Sequence, residues 1–372
     1  MKNLLVVDTT WPMNTRTERF TNTFKSKFNC IVCAWNRGRG GKTYPEESYI
    51  LETNTGYGNP LRKLLILPLF LLHIIKVYKK CRPDVILASH WDSLFLVLLA
   101  KVIVRGDALI VYDCLDLPTS RNKIILKFLH WLERKMLRSV DLTIYASRFF
   151  GQLYDGNNSS ITFENYPPKT LCDKNIEPPS WFQSVLDFDS DTLNLSWIGV
   201  VRYPEVLMSL LKFIKQTSRY RLLVFGDGPS LKYMQDLVGD MCICDKVFFF
   251  GRYNNNQLKY IYDVSDLVWA AYPTNDYNTR YAISNKYFEC SLFSTVPIIS
   301  AGTMMSKHRE IDSSIIFVDE SSVDDIFEKL ERYDFGKKFK KYEIELFWEC
   351  QEYKLFEAFN DMSLKKEKFN VS

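Results

Sequence analysis

The chain has 372 residues, 47% of them hydrophobic, and its 48 Lys and Arg against 44 Asp and Glu leave a formal net charge of +4. That is too long for one ordinary core and apolar enough for two, so two domains of common size fit. The nine cysteines are odd in number and lack framework spacing, which argues against a disulfide scaffold and for reduced thiols.

Charge is spread unevenly. Residues 1–170 carry 24 Lys and Arg against 14 Asp and Glu, a net of +10, and the remainder carries 24 against 30, a net of −6. A basic half suggests an anionic ligand or surface, such as nucleic acid, phosphate or a lipid headgroup; an unevenly solvated surface is the plainer alternative. Nucleic acid ranks last, because the aromatic residues follow core periodicity rather than interleaving a basic stripe. No metal site is expected: Cys30 and Cys33 sit inside strand-like FNCIVCAW, and Cys242 and Cys244 make a poor second pair.

In chain order, MKNLLVVDTT has four apolar residues before Asp8. It reads as a first strand and not a signal peptide, which places the chain in the cytoplasm. A helix follows near residues 17–27, then the strand CIVCAW. The run LLILPLFLLHIIKVYKK is interrupted by Lys76 after 12 residues, short of the ~20 that span a bilayer. It is either a core helix or one lying against a membrane. DVILAS, a helix from Ser93, ALIVYD, KIILKFLHWLERKML and DLTIYAS continue the alternation. Strands separated by helix-length segments imply parallel βαβ units, with ligands at the carboxyl ends of the strands.

Pro167, Pro168, Pro178 and Pro179 break the pattern and mark a linker. The alternation then restarts with LNLSWIG, a helix from Pro204, RLLVFGDG, a helix from Ser230, KVFFFG, a helix near Gln257, DLVWAA and SIIFVD. The domains are therefore expected at 1–170 and 171–345, with 346–372 as a C-terminal helix presenting Phe347, Leu355, Phe356 and Phe359 on one broad face.

In the second domain several strands end in Gly followed by polar residues: WIGVVR, FGDGP and FFGRY. Glycine there lets a ligand approach the backbone closely, although strand-to-helix turns commonly use it too. SNKYFECSLF reads as a helix capped by Ser284, with Phe288, Leu292 and Phe293 inward. Its first turn aims backbone N–H groups and positive dipole toward the strand ends, where a phosphate fits. Lys286 would strengthen that anion site, and Glu289 would accept hydrogen bonds from a ribose diol. The plainer alternative is an i,i+3 pair on a solvated helix face.

Taken in order, WIGVVR, LLVFGDGP, VFFFGRY, DLVWAAYP and SNKYFECSLFSTVPIIS over roughly Leu193 to Ser300 resemble the donor half of GT-B glycosyltransferases of the glycosyltransferase group 1 type. RPDVILAS, ALIVYDCLDLP and LERKMLRSVDLTIYAS add weaker similarity in the first half. The resemblance implies an α/β protein with two Rossmann-like domains facing across a cleft, an N-terminal acceptor domain and a C-terminal sugar-nucleotide domain. A terminal helix crossing back to the first domain is common in such proteins; a simple cap on the second is the alternative. The implied activity is transfer of a sugar from a nucleotide-sugar donor to a saccharide or lipid-linked saccharide acceptor in assembly of capsule, O-antigen or exopolysaccharide. It needs no metal and no further cofactor.

The family's Glu-x7-Glu element places its second Glu, the ribose ligand, on Glu289 and its first on Tyr281, a departure that bears on how the donor sugar is held. The amides of Ile283, Ser284 and Asn285 would meet the diphosphate. Gly199 is the first Gly of the second domain and Arg202 the basic residue after it; Lys286 partly replaces the family's following Lys. Gly251, Arg252 and Tyr253 fall where the nucleobase is held. On the acceptor side, Asp116 follows a strand end, His90 follows another, and Arg16 and Arg19 follow the first strand's loop. For Asp116 a turn or helix cap is the alternative, and for the two arginines a surface helix.

A GT-B sugar-nucleotide epimerase and a catalytically inactive nucleotide-sugar-binding protein stand as alternative functions. Finally, RKLLILPLFLLHIIKVYKKCR and RNKIILKFLHWLERKMLR combine apolar and basic sides, which suits peripheral association with the inner membrane surface; packing on the sheet suits the same pattern.

Overall fold

The computed structural model describes residues 1–371 except 39–42, 57–59, 155–158, 174–175, 190, 309–313 and 344–345, and describes backbone alone for 60–61, 363 and 365–371. The chain divides into two compact units, Met1–Glu164 with Glu352–Ser372, and Asn165–Gln351.

The first unit is built on a seven-stranded sheet of order β3-β2-β1-β4-β5-β6-β7. Its strands are β1 (Lys2–Asp8), β2 (Phe28–Asn36), β3 (Ser48–Glu52), β4 (Val85–Ser89), β5 (Leu109–Cys114), β6 (Leu142–Tyr145) and β7 (Ser160–Thr162), all pairing parallel. Five helices cover it: α1 (Thr15–Phe24), α2 (Pro60–Cys81), α3 (His90–Val104), α4 (Lys123–Leu137) and, from the end of the chain, α12 (Glu352–Val371).

Strand alternation decides which helix lies on which face. Phe28 packs on Phe24 of α1 at 5.8 Å and on Phe359 of α12 at 5.7 Å. Trp35, an odd number of residues along β2, packs instead on Phe70 of α2 at 5.7 Å. The register carries that second face from Cys33 through Val7 and Ala88 to Tyr112, whose hydroxyl donates to Glu133 of α4 at 2.6 Å. So α1 and α12 cover one face, and α2, α3 and α4 form a layer on the other, with α3 touching both neighbours.

The second unit has a six-stranded parallel sheet of order β10-β9-β8-β11-β12-β13: β8 (Leu193–Ile198), β9 (Tyr220–Phe225), β10 (Val247–Gly251), β11 (Leu267–Ala270), β12 (Val296–Ser300) and β13 (Ile316–Val318). On one face α6 (Pro204–Gln216), α7 (Leu231–Asp240) and α11 (Val323–Glu331) bury Trp197, Trp269 and Val224 with Leu207, Met234 and Ile326. On the other, α5 (Phe182–Leu186), α8 (Leu258–Asp263) and α10 (Asn285–Phe293) bury Ile198, Phe225 and Val268 with Ile261 and Cys290. A short α9 (Tyr277–Tyr281) precedes α10.

The start of the Pro-rich segment read as a linker is packed within this unit. The Tyr166 hydroxyl donates to Glu343 at 2.9 Å, its ring lies 4.6 Å from Phe288, and the Trp348 amide donates to the Pro167 carbonyl at 2.9 Å. Strands β3 and β7 escaped the sequence reading because each sits at a sheet edge, where a half-buried SYILE or a three-residue SIT suffices.

Glu133 shows how strongly α4 is tied to its sheet. Its carboxylate is fully buried and takes hydrogen bonds from Tyr112 and Tyr154, and burial pushes its pKa from the ordinary 4.5 to about 7. A folded carboxyl that holds its proton more tightly than the unfolded chain gives most stability below the unfolded pKa and loses it as pH rises through the folded one. The loss amounts to about 3 kcal/mol. Urea unfolding of the native protein is therefore expected to weaken between about pH 4.5 and 7, and Glu133→Gln to flatten that slope. Equal slopes in the two proteins would show that Glu133 is not the group responsible.

Candidate functional site

Both sheets are parallel, so their strands end at one edge, and the candidate residues gather there within each unit. In the second unit, three strand-to-helix turns are stitched together through backbone. The Gly199 amide donates to the Phe225 carbonyl at 2.8 Å, Val201 to Asp227 at 3.0 Å and Gly226 to Gly251 at 2.7 Å. This explains two glycines differently from the expectation of ligand approach. A Cβ on Gly226 would lie 1.8 Å from the Gly199 carbonyl oxygen, and one on Gly228 would lie 2.3 Å from that of Val201. Protein backbone fills those spaces. At Gly199 (φ +116°) and Gly251 (φ +73°) a Cβ would meet nothing within 4 Å, so these two present open backbone.

Around those turns lie the charged groups. Arg202 is exposed, its guanidinium 4.7 Å from the ring centroid of Tyr203, and the Tyr203 ring lies 5.9 Å from that of Tyr272. Burial raises the Tyr272 hydroxyl pKa, opposed by Lys286, Arg202 and a hydrogen bond with Ser284. The two expected cations thus act on one tyrosine. Arg252, also exposed, is engaged with Asp227 at 2.8 Å, and its hydrogen bond lowers that carboxyl's pKa. Tyr253 is half-buried against the cluster under α8 and α10.

At the start of α10, Ser284 accepts from the Lys286 amide at 3.3 Å, Ile283 is buried and Asn285 is exposed. Lys286 and Glu289 are paired at 2.9 Å with side chains only 11% and 10% accessible. Tyr262 donates to the same Glu289 oxygen at 2.6 Å. The pair is therefore no solvated surface contact. Burial alone would lower the Lys286 pKa, but the Glu289 carboxylate, with Tyr253 and Tyr272 beside it, raises it, so the amine stays protonated. Tyr281 is half-buried, with its ring 5.1 Å from that of Tyr277. Farther along the edge a cavity of about 580 Å³ opens between the ends of β11, β12 and β13, lined by Glu205, Thr274, Asn275, Gly302 and Glu320 among others. Arg202, Lys286 and Glu289 are not among its lining residues.

In the first unit, Asp8 and Ser89, the last residues of β1 and β4, and Asp113, the penultimate residue of β5, lie on the α1 face of three adjacent strands. Asp8 accepts from the Thr10 hydroxyl at 2.7 Å and from Asn14 at 3.1 Å, and Thr17 meets Ser89 at 2.8 Å. Burial raises the Asp8 pKa. Arg16 is buried, and its Nε donates to both oxygens of Asp113 at 2.9 and 3.1 Å. It ties α1 to the sheet edge rather than reaching outward. Arg19 is half-buried on α1. His90 begins α3 with φ +67° and its Nε2 lies 3.4 Å from Asn14 Nδ2. Asp92 is buried and paired with Lys63; burial pushes its pKa up, but Lys63 and His90 bring it below the ordinary value. Asp116 is exposed just past β5. The sequence reading passed over Asp8, Asp92, Asp113, Tyr262 and Tyr272. LLVVD and YDC carried a signal for two of them, since an acid ending an apolar strand lands on this edge.

No known family profile matches the chain. A curated relative, succinoglycan biosynthesis protein ExoL of Rhizobium meliloti, is 23% identical over 256 residues, which are 66% of this chain and 62% of that protein, so the match spans less than two thirds of the relative. Among solved structures, sucrose-phosphate synthase from Thermosynechococcus elongatus superposes with a TM-score of 0.72 at 12% identity, with 100% of both chains covered. Anabaena HepE in complex with UDP and glucose gives 0.67 at 12% identity, again with 100% of both covered. The fold is that of the GT-B glycosyltransferases.

Within this GT-B chain the buried Lys286–Glu289 pair has a measurable consequence. Removing one partner leaves the other charge buried and unmatched, which costs about 3–5 kcal/mol, whereas replacing both with apolar residues costs much less. In urea unfolding, Lys286→Met and Glu289→Ala are each expected to destabilise strongly, and the double variant by less than the sum. Additive losses would mean that the two side chains do not interact.

Proposed function

We propose that the chain is a glycosyltransferase that moves a sugar from a nucleotide-sugar donor to a lipid-linked saccharide acceptor in surface polysaccharide assembly. One observation carries the reading: Arg202, the first turn of α10, Lys286 and Glu289 gather at the carboxyl edge of one Rossmann-like sheet, next to the open backbone of Gly199 and Gly251. Similarity to ExoL, a succinoglycan biosynthesis protein, supports the polysaccharide setting, and the HepE complex with UDP and glucose supports the donor class.

On this reading Glu289, already oriented by Tyr262 and Lys286, accepts the ribose hydroxyls. The amides at Ile283, Ser284 and Asn285 receive the diphosphate, and Gly251, Arg252 and Tyr253 receive the base. When the acceptor hydroxyl oxygen bonds to the anomeric carbon and the sugar–phosphate bond breaks, the electron pair stays on the diphosphate and the hydroxyl's proton passes to a departing phosphate oxygen or to solvent. Arg202 and Lys286 then face more negative charge than in the ground state, so they lower the barrier and not merely the dissociation constant. Tyr281 replaces a carboxylate of the family element and sits beside the donor sugar. Asp116, His90, Arg16 and Arg19 are assigned to the acceptor side, with Arg16 acting through Asp113 as a positioning residue. The cations and amides supply the neutralisation, so turnover is expected to survive chelation by EDTA.

The test is release of nucleoside diphosphate from a panel of nucleotide sugars, with and without lipid-linked saccharides. Release that depends on acceptor supports the proposal. Donor isomerised without acceptor would point to an epimerase, and binding without turnover to an inactive binding protein. Arg202→Ala is expected to reduce kcat more than it alters nucleoside affinity. Glu289→Gln, which keeps shape and a partner for Tyr262, should weaken nucleoside diphosphate binding by about 1–3 kcal/mol. Unchanged affinity by calorimetry in the folded variant would remove the ribose assignment.

A further inference from the structure

The strand order of the second unit sets β8 directly beside β11. The chain leaves β8 into α6 on one face of the sheet and leaves β11 toward α10 on the other. The two connections part there and open a crevice at the carboxyl ends of these strands, which is where open α/β sheets take their ligands. Each lip carries a tyrosine. Tyr203 stands on the β8 side and Tyr272 on the β11 side, with ring centroids 5.9 Å apart. The Tyr272 ring also lies edge-on to Trp197 of β8 at 6.3 Å, and its carbonyl accepts from the Ser300 hydroxyl at 2.7 Å, which ties it to the end of β12.

Tyr203 is held against its backbone preference. As the residue capping α6 it has φ +67° and ψ 75°, yet its side chain makes no capping hydrogen bond. A left-handed conformation is costly for an aromatic residue and persists where the surroundings demand it. Here it lays the Tyr203 ring between its two neighbours in the crevice, Tyr272 and the Arg202 guanidinium.

The Tyr272 hydroxyl has different company from the other inward-facing tyrosines. Tyr112 donates to Glu133, Tyr166 and Tyr287 donate to Glu343, and Tyr262 donates to Glu289. No carboxylate takes a hydrogen bond from Tyr272 among the described residues; around its hydroxyl stand Lys286, Arg202 and Ser284, the residue that caps α10. Burial keeps its pKa above the ordinary value and the two cations oppose that only in part, so the group remains an O–H donor. A donor set between two cations at the first turn of a helix is matched by an anion.

We propose that Tyr272 is a further donor-binding residue, whose hydroxyl donates a hydrogen bond to the diphosphate of the nucleotide sugar between Arg202 and Lys286. The proposal rests on the glycosyltransferase reading and adds to it a neutral group that responds to the same charge. As the sugar–phosphate bond breaks and negative charge collects on the diphosphate, the hydrogen bond strengthens while the proton stays on the phenol oxygen. Tyr203 acts as a positioning residue, holding the Tyr272 ring and Arg202 on either side of its own.

The experiment is calorimetry of the full chain with UDP against uridine and with GDP against guanosine. The native protein is expected to prefer one diphosphate over its nucleoside. Tyr272→Phe keeps the ring contacts with Tyr203 and Trp197 and is expected to melt with the native protein. It should bind that diphosphate about tenfold or more weakly while binding the nucleoside unchanged. A tyrosine with a purely structural role would not shift that ratio. If the folded variant keeps the native preference in full, or loses affinity for nucleoside and diphosphate alike, the role of the hydroxyl is overturned and the glycosyltransferase reading is untouched. If the native protein binds neither diphosphate better than its nucleoside, this edge has no phosphate site, and the reading and the inference fall together.

Discussion

Lys286 is kept charged inside the second unit by Glu289, and the arrangement of that unit's carboxyl edge depends on the contact. An ammonium at that depth without a carboxylate would lose its proton or draw in water. Paired, it remains a fixed cation beside the first turn of α10, where the helix already offers unsatisfied amides. Tyr262 and Lys286 converge on one carboxylate oxygen, so the orientation of Glu289 is set by donors on both α8 and α10. The contact an isolated helix would value at a few tenths of a kcal/mol here fixes the placement of a charge.

The same logic gives the first unit a different character. Its strand ends carry Asp8, Ser89 and Asp113 on one face, and α1 answers with Asn14, Thr17 and Arg16. These groups hydrogen-bond to one another inside the unit, Asp8 and Ser89 through neutral partners. Arg16, Lys63 and Arg148 bring charge to that edge, each to a buried carboxylate. This edge is therefore ordered by helix-to-strand contacts, while the second unit's edge is ordered by backbone stitching at Gly199, Gly226 and Gly251 and by the Lys286–Glu289 and Arg252–Asp227 pairs.

Much of this was legible in the sequence because parallel strands buried on both faces read as continuous apolar runs. LLVVD, VILAS and LTIY announced themselves, and Ser284 before an apolar-periodic segment announced the start of α10. The pair at Lys286 and Glu289 was legible as an i,i+3 spacing, but its burial was not, because Tyr262 and Tyr253 arrive from elements distant in sequence. Arg16 misled for a related reason. An arginine in a polar loop-to-helix segment reads as exposed, and only the register of β5 shows Asp113 waiting on the α1 face. Gly226 and Gly228 read as ligand-facing for want of knowing that Val201 and Gly199 occupy the space.

The amphipathic segments that became α2 and α4 left two readings open, packing on the sheet or lying on a membrane, and in the fold the sheet takes one part of their apolar residues and leaves another exposed. A helix with one apolar stripe must choose; one whose apolar residues cover more than half its circumference presents a remainder after the sheet has taken its share. For α3 the sequence HWDSLFLVLLAKVIV is apolar nearly all round, which by itself suggests complete burial. The topology prevents that: α3 has β4 and β5 beneath it and α2 and α4 at its sides, leaving Val102 and Ile103 exposed. The apolar excess of a central helix therefore appears on the surface as a consequence of layer order.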